Sequence, residues 1–166
     1  MPSAMTPPTR LLFVCLGNIC RSPAAEGLFL HLLEREGLQE RYSVDSAGTG
    51  AWHVGKPADS RMRAAAARRG VVLPSRARQI DPRDLLQFDH ILIMDGDNLA
   101  TLRALARRSE TTARIRPITD HCRRFKLREV PDPYYGGSQG FEQVLDLLED
   151  ACEGLLEDLE QDLRPN

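Results

Sequence analysis

Cys15 and Arg21 are separated by five residues in the run Cys15-Leu16-Gly17-Asn18-Ile19-Cys20-Arg21-Ser22-Pro23. A thiolate is a strong nucleophile, and a guanidinium is a planar fork that grips two phosphate oxygens at once. Gly17 and Asn18 are the residue types that tolerate positive φ, so the run can curl and turn its backbone N–H groups inward around an anion. Ser22 is a favoured N-cap and Pro23 a favoured first helical residue. A helix should therefore start here with its positive end facing that anion. A helix N-terminus and a neighbouring guanidinium favour the thiolate form of a cysteine, and the Ser22 hydroxyl can donate to the sulfur. Leu16, Gly17, Asn18, Ile19, Cys20, Arg21 and Ser22 are thus expected to bind phosphate, with Cys15 at the base of the cradle. Breaking a phosphate ester also needs a proton for the leaving oxygen, and an acid in place is worth roughly 10²–10⁴ in rate. Asp132, between Pro131 and Pro133, is the candidate, although a loop Asp between prolines is more often a turn residue.

These groups need elements to hold them. Leu11-Leu12-Phe13-Val14 is a continuous apolar run, the pattern of a strand buried on both faces. Ala25, Leu28, Phe29, Leu32 and Leu33 recur on one helical face that Gly37 stops. Tyr42 and Val44 alternate with Ser43 and Asp45 as a second strand. Asp59 to Arg69 reads as a helix ended by Gly70, Ile91 to Met94 as a third strand, and Leu99, Leu102 and Leu105 as another helix. Ala113 to Ile118 reads as a fourth strand. Phe141, Val144, Leu145, Leu148, Cys152, Leu155, Leu156 and Leu159 form the stripe of a long final helix. The alternation predicts a single α/β domain, a four-stranded parallel sheet with helices on both faces. Ligands in such folds sit beyond the C-terminal strand ends, where the Cys15 loop lies.

Val14 to Pro23 resembles the phosphate loop of the low-molecular-weight protein tyrosine phosphatases throughout. The resemblance extends over about residues 10–160, through Asp45-Ser46-Ala47-Gly48, Arg78-Gln79-Ile80, Met94-Asp95 and Asp132-Pro133-Tyr134-Tyr135-Gly136. It implies a flavodoxin-like strand order 2-1-3-4 and hydrolysis of phosphotyrosine through a Cys15 phosphoenzyme. Arg21 would bind phosphate, and Asp132 would be general acid and then general base. It implies a substrate slot walled by Leu16, Trp52, Tyr134 and Tyr135, with His53 at the rim. Asn18, Ser22 and Ser46 would support the loop. In animal members a histidine just before Arg-Gln-Ile joins this support; here Ser75 holds that place. Arg78 matches a structural arginine, with Asp95 as its expected mate. Cys20, in the same curl, is placed to capture an oxidised Cys15 as a disulfide. Neither metal nor cofactor is implied. Phosphotyrosine proteins are the expected partners, with a tyrosine kinase as functional counterpart.

Length and composition bound the alternatives. The chain has 166 residues, 42% hydrophobic and 28% charged, which is one globular domain. No apolar run approaches the ~20 residues of a membrane helix. Residues 1–9 lack a basic region followed by an apolar run, so they read as a disordered lead-in to a domain at 10–163 in a cytoplasmic protein. Residues 1–128 hold 21 basic and 13 acidic side chains, net +8; residues 129–166 hold 1 and 11, net −10. This suits a basic body beside an acidic final helix, or a face for an anionic substrate. Nucleic acid is a poor fit. An arsenate reductase relay needs two further cysteines close together, and Cys122 and Cys152 are 30 positions apart. Protein arginine phosphatases carry Thr where Ile19 stands. A non-catalytic phosphotyrosine-binding module would lack Cys15 or Asp132. Cys152 belongs to the core stripe, His121 with Cys122 makes no metal set, and His31 faces solvent.

Overall fold

A computed structural model describes residues 6–163. Its strands are β1 (Thr9–Cys15), β2 (Tyr42–Gly48), β3 (His90–Ile93) and β4 (Arg114–Pro117). They pair in parallel in the order β2-β1-β3-β4, as expected. The helices are α1 (Arg21–Glu36), α2 (Ser60–Ala67), α3 (Asp84–Gln87), α4 (Gly96–Arg107) and α5 (Ser138–Leu163). Among the described residues, no helix is long and apolar enough to cross a membrane. Of the lead-in expected over residues 1–9, residues 1–5 lie outside the described residues, and Thr9 already belongs to β1.

The apolar run of β1 divides between two cores. Leu11, Phe13 and Cys15 face one with α1, α2 and α5, whereas Leu12 and Val14 face the other with Leu85 and Leu102 from α3 and α4. That alternation places β1 at the centre of the sheet, with helices on both sides. Gly37 ends α1 in the left-handed conformation, φ 70°, and its N–H closes on Leu33 and Glu34. Asp59 caps α2 through the Arg61 N–H. Asp95 caps α4 in a reciprocal capping box with Asn98.

The start of α1 departs from expectation. The helix begins at Arg21, and no side chain caps it. Ser22 is not the N-cap, because its hydroxyl lies against the Cys15 sulfur and the Asn18 amide instead. Leaving the first N–H groups of α1 without a side-chain partner suits an anion site, since a cap would occupy a donor that the anion needs. The short α3 was not foreseen; four residues are too few to show a helical period.

Most of the acidic α5 is paired rather than simply solvated. Arg69 meets Glu142, Asp146 and Glu149; Arg68 meets Glu142; Arg41 meets Glu160; Arg123 meets Asp158; Arg124 meets Asp150 and Glu153. The opposite charges of the two parts of the chain are drawn together within one molecule.

Candidate active site

The loop after β1 is tied into the sheet by main-chain bonds. Cys15 pairs with Gly48 at the strand end. The N–H groups of Thr49 and Gly50 continue the ladder to the carbonyls of Cys15 and Leu16, both at 2.9 Å. On the other side of β2, Gly48 and Gln79 form a further parallel bridge. A Cβ on Gly48 would lie 2.8 Å from the Leu16 carbonyl oxygen, so only glycine permits this approach.

Asn18 is the one non-glycine residue with positive φ among those described, at 59°. Gly17 was expected to share that role and does not. What glycine provides there is space, since a Cβ would sit 3.0 Å from the His53 ring. The Asn18 conformation is held from three sides. Its Oδ1 accepts the Arg78 N–H at 3.0 Å, and its Nδ2 donates to Ser22 Oγ at 2.8 Å and to Ser46 Oγ at 3.0 Å. The resulting curl points the Asn18 backbone N–H at the Cys15 sulfur, 3.3 Å away, with Ser22 Oγ 3.0 Å from the same sulfur.

Arg21 is buried, and one edge of its guanidinium is anchored. NH1 donates to Asp95 Oδ2 at 2.7 Å and to the Val130 carbonyl at 3.0 Å, while NH2 lies 3.6 Å from Asp132 Oδ2. Burial alone would lower its pKa, but the charges on Cys15, Asp95 and Asp132 outweigh it and hold it above the ordinary value. Asp95 was expected beside Arg78 and is not there. Arg78 instead makes a bidentate pair with Asp84 and a second pair with Asp45. Asp95 stands at the end of β3, next to β1 in the sheet, which brings it to Arg21.

Val130 N–H bonds the Met94 carbonyl at 2.8 Å, so the segment carrying Asp132 is pinned where β3 ends. Asp132 Oδ1 accepts the Tyr134 N–H at 3.1 Å. Cys15, Leu16, Gly17, Ile19, Cys20 and Arg21 line one cleft of about 370 Å³ with Trp52, His53, Asp132, Tyr134 and Tyr135. Of the residues expected to act on a substrate directly, all but Asn18 and Ser22 line this cleft, and those two are buried behind it. Two of the aromatic residues expected to wall a slot stand open to solvent: Trp52 is 70% exposed and Tyr135 94%. The Trp52 ring lies against Gly50, where no Cβ would fit.

Other features were not foreseen. Arg61, held by Asp59 at 3.0 and 2.8 Å, lies over the rings of Tyr134 and Phe141. Nothing in its spacing signals this. Glu26 is buried behind the loop; its signal was a lone acid in an otherwise apolar helical face. Cys20 is buried in the curl, and burial first, then the charges of Asp59 and Cys15, push its thiol up. Cys152 is buried in the core and His31 is exposed. His121 turns to Asp158 at 2.6 Å, away from Cys122, and no metal-binding cluster occurs among the described residues. A larger hollow between α1 and α5, about 700 Å³, carries no nucleophile.

A family model described as low molecular weight phosphotyrosine protein phosphatase matches residues 10–165. The Bacillus subtilis low molecular weight protein-tyrosine-phosphatase YfkJ is 40% identical over 92% of this chain and 96% of its own. The crystal structure of an Entamoeba histolytica protein tyrosine phosphatase, with Hepes in its active site, superposes with a TM-score of 0.86. It is 46% identical, over 93% of this chain and 98% of that one. A Drosophila arginine phosphatase superposes with a TM-score of 0.85 at 32% identity, over 90% and 96% of the two chains.

Proposed function

The chain belongs to the low molecular weight phosphotyrosine protein phosphatase family and is a hydrolase of that class, and from that premise we propose how its residues divide the reaction. The Cys15 thiolate attacks phosphorus; an S–P bond forms as the bond to the ester oxygen breaks. Asp132 gives its proton to that departing oxygen. Arg21 and the backbone N–H groups of the loop hold the equatorial phosphate oxygens, while Ser22 donates to the sulfur. Asp132, now ionised, takes a proton from water; the hydroxide oxygen bonds phosphorus, the S–P bond breaks, and phosphate leaves with the thiolate restored. Leu16, Trp52, Tyr134 and Tyr135 flank the ring of the substrate. The observation that carries this reading is that Cys15, Arg21 and Asp132 border one cleft.

The substrate is phosphotyrosine in proteins. The cradle binds the phosphate common to every substrate, so selectivity comes from reach and from the walls. A phosphotyrosine ring holds its phosphate further from the peptide backbone than a serine methylene does, and the ring gains aromatic contacts of roughly 0.5–1.5 kcal/mol each. Phosphotyrosine should be preferred over phosphoserine by about a hundredfold in kcat/KM, ~2.7 kcal/mol. The action is cytoplasmic, opposite a tyrosine kinase, with Cys20 as the thiol that captures an oxidised Cys15.

Likeness to an arginine phosphatase favours phosphoarginine as a second reading. In the resemblance to protein arginine phosphatases, Thr stands where this chain has Ile19, and the larger Ile19 side chain narrows the loop against a guanidinium leaving group. A panel of phosphotyrosine, phosphoserine and phosphoarginine peptides at neutral pH separates the readings. Cys15→Ser tests both: turnover should fall below about a hundredth of wild type while vanadate still binds. Residual turnover above that level removes Cys15 as nucleophile.

A further inference from the structure

Glu26 lies in α1 with 5% of its surface exposed, and no step of the reaction above uses it. Its Oε1 accepts the Ser46 hydroxyl at 2.6 Å. Ser46 Oγ accepts one N–H of the Asn18 amide, and Ser22 Oγ accepts the other. The Arg78 backbone N–H on Asn18 Oδ1 fixes which end of that amide faces the serines. A hydroxyl has one proton to give. Ser46 gives its proton to Glu26 and so accepts from Asn18; Ser22, having accepted from Asn18, has its one proton to give either to the Cys15 sulfur at 3.0 Å or to the Ala47 carbonyl at 3.4 Å, and the nearer sulfur is the better placed of the two. The chain of bonds thus runs in one direction, from a backbone N–H at one end to a carboxylate at the other.

We propose that Glu26 is a positioning residue for the phosphate cradle: its ionised carboxylate orients the Ser46–Asn18–Ser22 chain so that Asn18 stays left-handed and the Ser22 proton points at sulfur. The role rests on Cys15 being the nucleophile. It also explains how the network closes in a chain with Ser75 beside it: Ser75 Oγ stands 3.4 Å from Ser46 Oγ and brings no charge.

The groups that face Glu26 are Ser46 and Asp45 on β2, and Ser75 and Arg78 on the segment before α3. Burial is the largest influence and raises its pKa; the two hydroxyls and Arg78 pull it down, and Asp45 pushes it up. Arg78 is shared with Asp45 and Asp84, so it does not serve Glu26 alone. A protonated Glu26 becomes a donor, and the chain loses its fixed direction. Activity should therefore gain its Glu26-dependent part as pH rises through the raised pKa. Stability runs the other way. An acid whose folded-state pKa lies above its unfolded value favours the fold in acid, and that advantage is lost as pH rises through this window.

This opposition separates positioning from simple packing. Glu26→Gln mimics the neutral acid. At neutral pH it should keep or raise Tm while kcat/KM for an aryl phosphate falls about tenfold, mainly in kcat, and the acid limb of the rate profile loses one titration. Activity within twofold of wild type, or a loss of activity that follows a lowered Tm, overturns the role. In the wild-type enzyme, NMR should show the Asn18 side-chain amide shifting with the same midpoint as the Glu26 carboxyl carbon. An Asn18 amide that is flat through that midpoint also overturns it. This readout needs no turnover, so it stands apart from the nucleophile, which Cys15→Ser tests.

Discussion

Arg21 meets three acceptors at once: Asp95 and the Val130 carbonyl on one nitrogen, Asp132 near the other. Its guanidinium is thereby held in plane, and the Asp132 carboxyl is kept beside it at the cleft. Asp132→Asn should leave this arrangement nearly unchanged and remove only the proton. Rates should fall by about 10²–10⁴ for phosphate esters with poor leaving groups, and much less for groups that depart readily without a proton. A leaving-group series with equal losses throughout would reduce Asp132 to a residue that shapes its loop. Cys15, Arg21 and Asp132 could be singled out in sequence because their types and immediate neighbours suit phosphate chemistry, and the structure brings all three to one cleft. Asp95 and Glu26 were not, because what they do depends on which strand or helix ends beside them. The mate of Arg78 was misjudged for the same reason: Asp84 and Asp45 arrive from separate segments, and no spacing encodes their meeting.

Among the elements, α5 does more than cover the sheet. Asp150 projects from it and accepts the backbone N–H groups of Arg123, Arg124 and Phe125. This folds the stretch that leads to Val130 and Asp132. Burial alone would raise the Asp150 pKa, but these three donors outweigh it and hold the carboxyl below its ordinary range. A depressed folded-state pKa gives stability that is present above the unfolded value, about 3.9, and is lost as pH falls through the folded one. Asp150→Ala should cost about 1.5–3 kcal/mol near neutral pH, the worth of hydrogen bonds to a charged group, and the deficit should shrink in acid. Thermal melts of both proteins across that range check it; a pH-independent difference would mean that Asp150 acts by packing alone. Long periodic elements such as α1 and α5 were readable from their stripes. The missed detail was short or tertiary: the four residues of α3, and an α1 start decided by what Ser22 could reach.

At the scale of the whole molecule, β1 divides two cores, and α5 closes the larger one with Phe141, Val144, Leu145, Leu148, Leu155 and Leu159. Exposed ion pairs are worth only about 0–1 kcal/mol each, so α5 is held mainly by this burial, and its charges mainly select where it lies. A chain ending before Ser138 should lose cooperative unfolding and bind no vanadate, as circular dichroism and calorimetry would show; a cooperative melt in that fragment would place the essential core elsewhere. The main-chain ladder that runs from β1 through Thr49 and Gly50 has a different implication. The start of the loop is held to the sheet by backbone bonds, whereas the aromatic walls of the cleft are side chains, with Trp52 and Tyr135 open to solvent. The two can therefore diverge at different speeds in evolution. A library randomised at Leu16, Trp52 and Tyr135, all on the cleft and open to solvent, should yield enzymes with new leaving-group preferences and unchanged affinity for inorganic phosphate, which makes this fold a chassis on which selectivity can be rewritten without rebuilding the catalyst.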